Sequence, residues 1–152
     1  MVIKGDLFKR LNYDENTLIV HVCNDVGKWG SGFVLEISKY NEEPQRVFRT
    51  SYYVGLSSGL GAIQVCDFIG KVKVINMIAQ SGTKSISNPV PLNYEALRGC
   101  LQDVRHVAKQ GKYKVVMPKI GAARAGGDWA KIYSIIEDEL ISHNIKTEVY
   151  IL

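Results

Sequence analysis

The sequence has no Cys-x-x-Cys pair, no apolar run approaching the length of a membrane span, no signal-peptide-like start and no Ser-, Gly- or Pro-rich linker. Each absence excludes something. Only three cysteines, Cys23, Cys66 and Cys100, are present, all inside apolar segments, so a zinc site or a disulfide framework is not indicated and reduced, buried thiols are expected. Without a leader or a spanning segment, a cytoplasmic protein with no membrane partner is expected. No repeat or low-complexity tract divides the 152 residues, a length that suits one core, and residues 1–152 are read as a single, monomeric domain. The formal charge of +4 is modest, and Lys and Arg are spread along the chain, which in the sequence alone is no nucleic-acid footprint.

Short runs rich in Val and Ile predict six strands: "MVIK" at the start, Thr17–Cys23, Gly61–Ile69, Lys71–Ala79, Tyr113–Pro118 and the terminal "KTEVYIL". Helices are predicted over "GFVLEISKY", Pro44–Val54, Asn93–Gln110 and Asp128–Ser142, the last with Asp128 in N-cap position. Strands alternating with helices, several apolar on both faces, predict an α/β fold. It has three layers, α/β/α, around a central mixed sheet of about six strands. Ligands of such sheets bind beyond the carboxyl ends of the strands. That rule selects two loops, "NDVGKWGSG" after the second strand and "KIGAARAGG" after the fifth.

Both loops are glycine-rich. Free backbone N–H groups there, and in the first turn of a following helix, suit phosphate oxygens, and two such loops at one edge suit a diphosphate. Lys28 or Arg124 would add positive charge; the plainer reading is that each is solvated. Neither loop ends in the Gly-Lys-Ser/Thr of a P-loop, and the first is not G-x-G-x-x-G, which disfavours a triphosphatase and a dinucleotide dehydrogenase. Trp29 either covers a ligand or folds back over the core. Cys23 and His21 share a strand face, but a rise of roughly 7 Å between them argues against a thiol–imidazole pair.

Four segments, "KGDLF", "HVCNDVGKWGSGF", "MPKIGAARAGGDW" and the terminal "VYIL", together resemble a macrodomain. The resemblance covers essentially the whole chain. It is nearest the branch that includes terminal ADP-ribose protein glycohydrolase and the ADP-ribose 1''-phosphate phosphatases. It implies ADP-ribose, or an ADP-ribosylated substrate, as partner, with nucleic acid entering only as such a substrate, and no cofactor or metal. Residue by residue it implies Asp6 at the adenine amino group with the Leu7 N–H beside it. It implies Asn24 at the distal ribose, and Gly30, Ser31, Gly32 and Phe33 along the phosphates. Ile120, Gly121, Ala122, Ala123, Arg124 and Ala125 then close the other side, with Tyr150 and Leu152 near the adenine.

The glycohydrolase lysine and aspartate fall on Gln80 and Ala125, which offer neither an amine nucleophile nor a base. Lys84 lies four residues on. The phosphatase-like "HVCN" segment makes His21 a candidate acid or base, with Asp128 as a second; the plain alternatives are a hydrogen-bonded core histidine and a helix cap. The expectation is a macrodomain that binds ADP-ribose and hydrolyses a derivative of it. The rival expectations are a non-catalytic ADP-ribose reader and a basic nucleic-acid binder.

Overall fold

The computed structural model describes residues 1–55, 59–123 and 125–152. The strands are β1 (Val2–Lys4), β2 (Thr17–Asn24), β3 (Ile63–Ile69), β4 (Val72–Gln80), β5 (Lys114–Pro118) and β6 (Thr147–Ile151). The helices are α1 (Leu7–Arg10), α2 (Phe33–Tyr40), α3 (Glu43–Tyr53), α4 (Tyr94–Gly111) and α5 (Trp129–Glu139). One sheet runs β1-β6-β5-β2-β4-β3. All neighbours are parallel except β3, which pairs antiparallel with β4. The sheet is therefore mixed, with six strands, as the sequence predicts.

Strand alternation sorts the core into two layers. On β2, Leu18 and Val20 join Ile75 and Met77 of β4 under α4 and α5, where Leu97, Leu101, Val104, Ile132 and Ile136 are fully buried. Ile19 and Cys23 point the other way, joining Val74, Ile78 and Val116 under α1, α2 and α3. Burial on both faces is why β2 and β4 read as nearly continuous apolar runs.

Most elements lie within one or two residues of the sequence reading, and two details differ by more. The short α1 was not predicted; Asp6 starts it by accepting the Phe8 N–H at 3.0 Å. The last helix ends at Glu139 rather than Ser142, and a 3-10 turn, Ile141–His143, follows. Helix ends often tighten in this way to satisfy their last carbonyls. Asp128 does cap α5, its carboxylate accepting the Ala130 N–H at 3.0 Å.

Candidate functional site

The chain leaves β2 for one side of the sheet and β5 for the other, so the strand order reverses between them. A crevice is expected outside their carboxyl ends, and a cavity of about 540 Å³ lies there. Loop one contributes Asn24, Lys28, Gly30, Ser31, Gly32 and Phe33; loop two contributes Lys119, Ile120, Gly121, Ala123 and Ala125. Gln80, Thr83 and Lys84, from the end of β4 and beyond, complete the wall.

Loop one is built by side chains. The Asn24 carbonyl oxygen accepts the N–H groups of Val26 and Lys28 at 3.1 and 3.0 Å, while its amide nitrogen donates to the Lys28 carbonyl at 2.7 Å. Asp25 ties the loop sideways: its N–H donates to the Gln80 carbonyl and its carboxylate accepts the Gly82 N–H at 2.8 Å. Trp29 turns inward and is buried, its Nε1 donating to Ser38 Oγ at 2.8 Å and its ring resting on Phe48. Of the two readings of Trp29, the structure takes the core one. The chain then emerges at Gly30, Ser31 and Gly32, all exposed.

Gly30 has nothing within 4 Å of where a Cβ would stand. Gly32, at the α2 N-cap, has φ 83° and ψ −148° and brings no capping side chain. That conformation belongs almost only to glycine. With no side-chain cap, the Phe33 and Val34 N–H groups carry the partial positive charge of a helix start, while the Leu35 N–H donates to the Gly32 carbonyl at 3.1 Å.

Loop two is built by glycine packing. The Gly127 N–H closes it onto the Gly121 carbonyl at 2.8 Å, and the Ala125 carbonyl accepts from Leu92 N at 3.1 Å. Gly126 has φ 69°, and a Cβ there would stand 2.4 Å from the Pro89 carbonyl oxygen. Ala122 is half-buried and outside the cavity wall. Arg124 lies outside the described residues.

The residues expected near adenine sit further along the same edge. Pro118, which lines the crevice, pairs with Tyr150 on β6, and Ile151 pairs with Lys4 on β1 just before Gly5 and Asp6. Two strand spacings of roughly 4.8 Å thus separate β5 from the Asp6 corner. Phe8 of α1 stacks on Phe33 at 5.5 Å, joining that corner to loop one. Leu7 and Tyr150 are buried together, the Tyr150 hydroxyl donating to Glu148, and Leu152 is exposed.

His21 lies at the crevice floor, 2 % exposed. It is Cα partner to Asn76, which in turn pairs with Gln64 on β3. The three side chains form a row across three strands. The Asn76 amide nitrogen donates to the carbonyl of Pro44 and to Gln64 Oε1, so its oxygen faces His21 Nε2 at 2.6 Å. Nε2 is therefore the protonated nitrogen. Burial lowers the imidazole pKa to about 4, against a smaller raising effect of the Asn76 bond. At neutral pH the ring is uncharged and its one N–H is committed, which leaves no proton for general-acid work.

Asp128, the other catalytic candidate, is exposed at its cap and is not in the crevice wall. Cys23 corrects the spacing argument, because its Sγ does reach the His21 ring, 3.8 Å from Nε2. Side chains on one strand face lean along the strand, closing a gap that backbone rise leaves open. Burial raises the thiol pKa well above its ordinary value, so it is no nucleophile at neutral pH.

The crevice is electropositive. Lys28, Lys84 and Lys119 line it, and no Asp or Glu does among the described residues. Lys119 and Thr83 were missed in the sequence. Lys119 was within reach of the strand-end rule, since it follows Pro118 at the end of β5; nothing marks Thr83. No cluster of metal-ligating side chains occurs among the described residues, and no helix there is long and apolar enough to cross a membrane.

No family model matches the chain. Solved structures do. A protein of unknown function from Bacteroides thetaiotaomicron is 38% identical, with a TM-score of 0.93 over 100% of this chain and 97% of that one. A macrodomain protein from Streptomyces coelicolor is 34% identical, with a TM-score of 0.86 over 99% of this chain and 97% of that one. A Thermosipho africanus DarTG solved with ADP-ribose shares the fold, with a TM-score of 0.75 at 13% identity, over 96% of this chain and 39% of that one. Among curated proteins, the mouse chromodomain-helicase-DNA-binding protein 1-like is 25% identical over 97% of this chain, which spans 17% of its length.

Proposed function

This chain belongs to the macrodomain family, and from that premise we propose that its crevice binds ADP-ribose. One observation carries the reading: two loops with exposed backbone face one another across a cavity of about 540 Å³ with three lysines and no described carboxylate in its wall. In this reading the diphosphate lies between Gly30–Phe33 and Ile120–Ala125, against the α2 N-terminus. The adenine extends toward Asp6, whose second carboxylate oxygen is available to the exocyclic amine while the first holds Phe8 N–H. Asn24 supports loop one from within, with one amide hydrogen left for the distal ribose.

A second reading adds hydrolysis of an ADP-ribose derivative, either removal of a 1''-phosphate or release of ADP-ribose from an O-linked adduct. It is favoured by Lys28, Lys84 and Lys119, whose ammonium groups suit phosphoryl or leaving-group oxygens. His21 has its Nε2–H committed to Asn76, Asp128 lies outside the crevice wall, and Gln80 and Ala125 carry no acid or base, so this reading routes the proton through water or the substrate's own oxygens. For that reason we place binding first.

Calorimetry with ADP-ribose, beside a single-turnover incubation with ADP-ribose 1''-phosphate and with an ADP-ribosylated protein, tests both. Binding without release marks a reader; release from either substrate adds the enzyme and names the bond cut; no binding overturns the proposal. Asp6→Ala should lower affinity about tenfold while costing about 1 kcal/mol of stability through the lost cap. Unchanged affinity removes Asp6 from the adenine.

A further inference from the structure

The opposite edge of the sheet carries a second cavity of about 600 Å³, between the end of α4 and the segment leading into β6. The fold adds Lys146 to three lysines that are already neighbours in sequence. Lys109, Lys112, Lys114 and Lys146 line it together with His143 and Tyr113. Lys114 is mostly buried and neutralised by Glu15 and Glu148, at 3.5 and 3.7 Å. Lys109, Lys112 and Lys146 are exposed, and none is in an ion pair among the described residues. Among the described residues Glu15 is the one carboxylate in the wall, and it is engaged with Lys114.

Ordinary helix physics covers only part of this. The α4 carboxyl end favours a cation in its last turn, which accounts for Lys109. It does not account for Lys146, which is not on α4, or for Lys112, held at φ 53° in a left-handed position that glycine or asparagine usually takes. Gly111, one residue earlier, is where a Cβ would stand 2.1 Å from the Tyr113 ring. Glycine is thus used to seat the aromatic ring, and lysine takes the strained position beside it.

We propose that this groove binds single-stranded nucleic acid, with Lys109, Lys112 and Lys146 on consecutive phosphates and Tyr113 against a base. A lysine rim over an aromatic floor is the arrangement that tracks a strand without reading its sequence. The site lies at the other end of the strands from the crevice and does not depend on what the crevice binds.

Fluorescence anisotropy with labelled oligo(dT) and oligo(U) over roughly 50 to 200 mM salt tests it. Three neutralised phosphates predict a log–log salt slope of about −2. The triple variant Lys109→Glu/Lys112→Glu/Lys146→Glu should bind roughly tenfold or more weakly with a flattened slope, its fold checked by circular dichroism. Tyr113→Leu should lose about fivefold. Gly30→Val should leave strand binding unchanged, which separates this site from the crevice. No binding at low salt overturns the proposal, as does binding that survives the triple variant, binding lost in Gly30→Val, or capture of anionic vesicles without capture of strands.

Discussion

The two glycine loops flank one crevice but are made differently. Loop two holds its shape through glycines that neighbours press against: Gly126 on the Pro89 carbonyl and Gly127 on Leu92 and the Gly121 carbonyl. Loop one holds its shape through Asn24, Asp25 and Trp29, and Gly30 has open space before it. Gly27, where a Cβ would stand 2.7 Å from the Tyr52 ring, packs as well, so glycine serves packing in both loops and access at Gly30. Counting glycines in a loop does not distinguish these uses; asking what a Cβ would meet does.

Loop one depends most on the buried side chain of Trp29. If loop one rests on its side chains, Trp29→Ala should cost about 4 kcal/mol in denaturant unfolding, the range for deleting a buried aromatic; a loss under about 1 kcal/mol would mean the loop stands without its anchor. Gly126→Ala comes next, at about 3 kcal/mol, from the left-handed backbone together with contact on a carbonyl oxygen. A neutral Gly126→Ala would erase the contrast from the other side.

The floor beneath loop one gives a pH test. His21 is neutral when folded, with a pKa of about 4 against an ordinary 6.5. Below pH 6.5 the unfolded chain therefore binds a proton that the folded one refuses. Stability should fall as pH drops from about 6.5 to about 4, by on the order of 3 kcal/mol, and hold steady above that window. His21→Gln should flatten that part of the curve; an unchanged curve would mean that another group carries it. The smallest stability effect, and the sharpest test of access, is Gly30→Val. It should change unfolding by less than about 0.5 kcal/mol yet weaken ADP-ribose binding by about tenfold in calorimetry. Tight binding by a folded Gly30→Val would move the diphosphate away from loop one.

The six strands and the four long helices were legible because their signals are local: Val and Ile runs, a 3.6-residue period over Leu97, Leu101 and Val104, and a cap at Asp128. The two crevice loops followed from chain order and one rule about strand ends. What was not legible depends on pairing across distance. His21 meets Asn76 and Asn76 meets Gln64 only once β2, β4 and β3 are in register. Trp29 has a place to go only because Ser38 and Phe48 arrive from later helices. Lys109 and Lys146 meet only because α4 ends beside the entry to β6. Four residues of α1 are too few to show a period at all.

The row of His21, Asn76 and Gln64 also bears on how the sheet assembles. Every residue of β4 between its ends is buried, apart from Lys73, so hydrophobicity alone distinguishes poorly between one alignment of β4 and the next. A slip by one residue would turn Asn76 into the layer of Leu97 and Leu101, with no partner for its amide, and would strand Gln64 and His21 opposite aliphatic side chains. Three polar groups that match in only one alignment thus act as a key across β2, β4 and β3, with His21 and Asn76 55 residues apart and Asn76 and Gln64 12 apart, penalising near-correct pairings that greasy strands would otherwise tolerate.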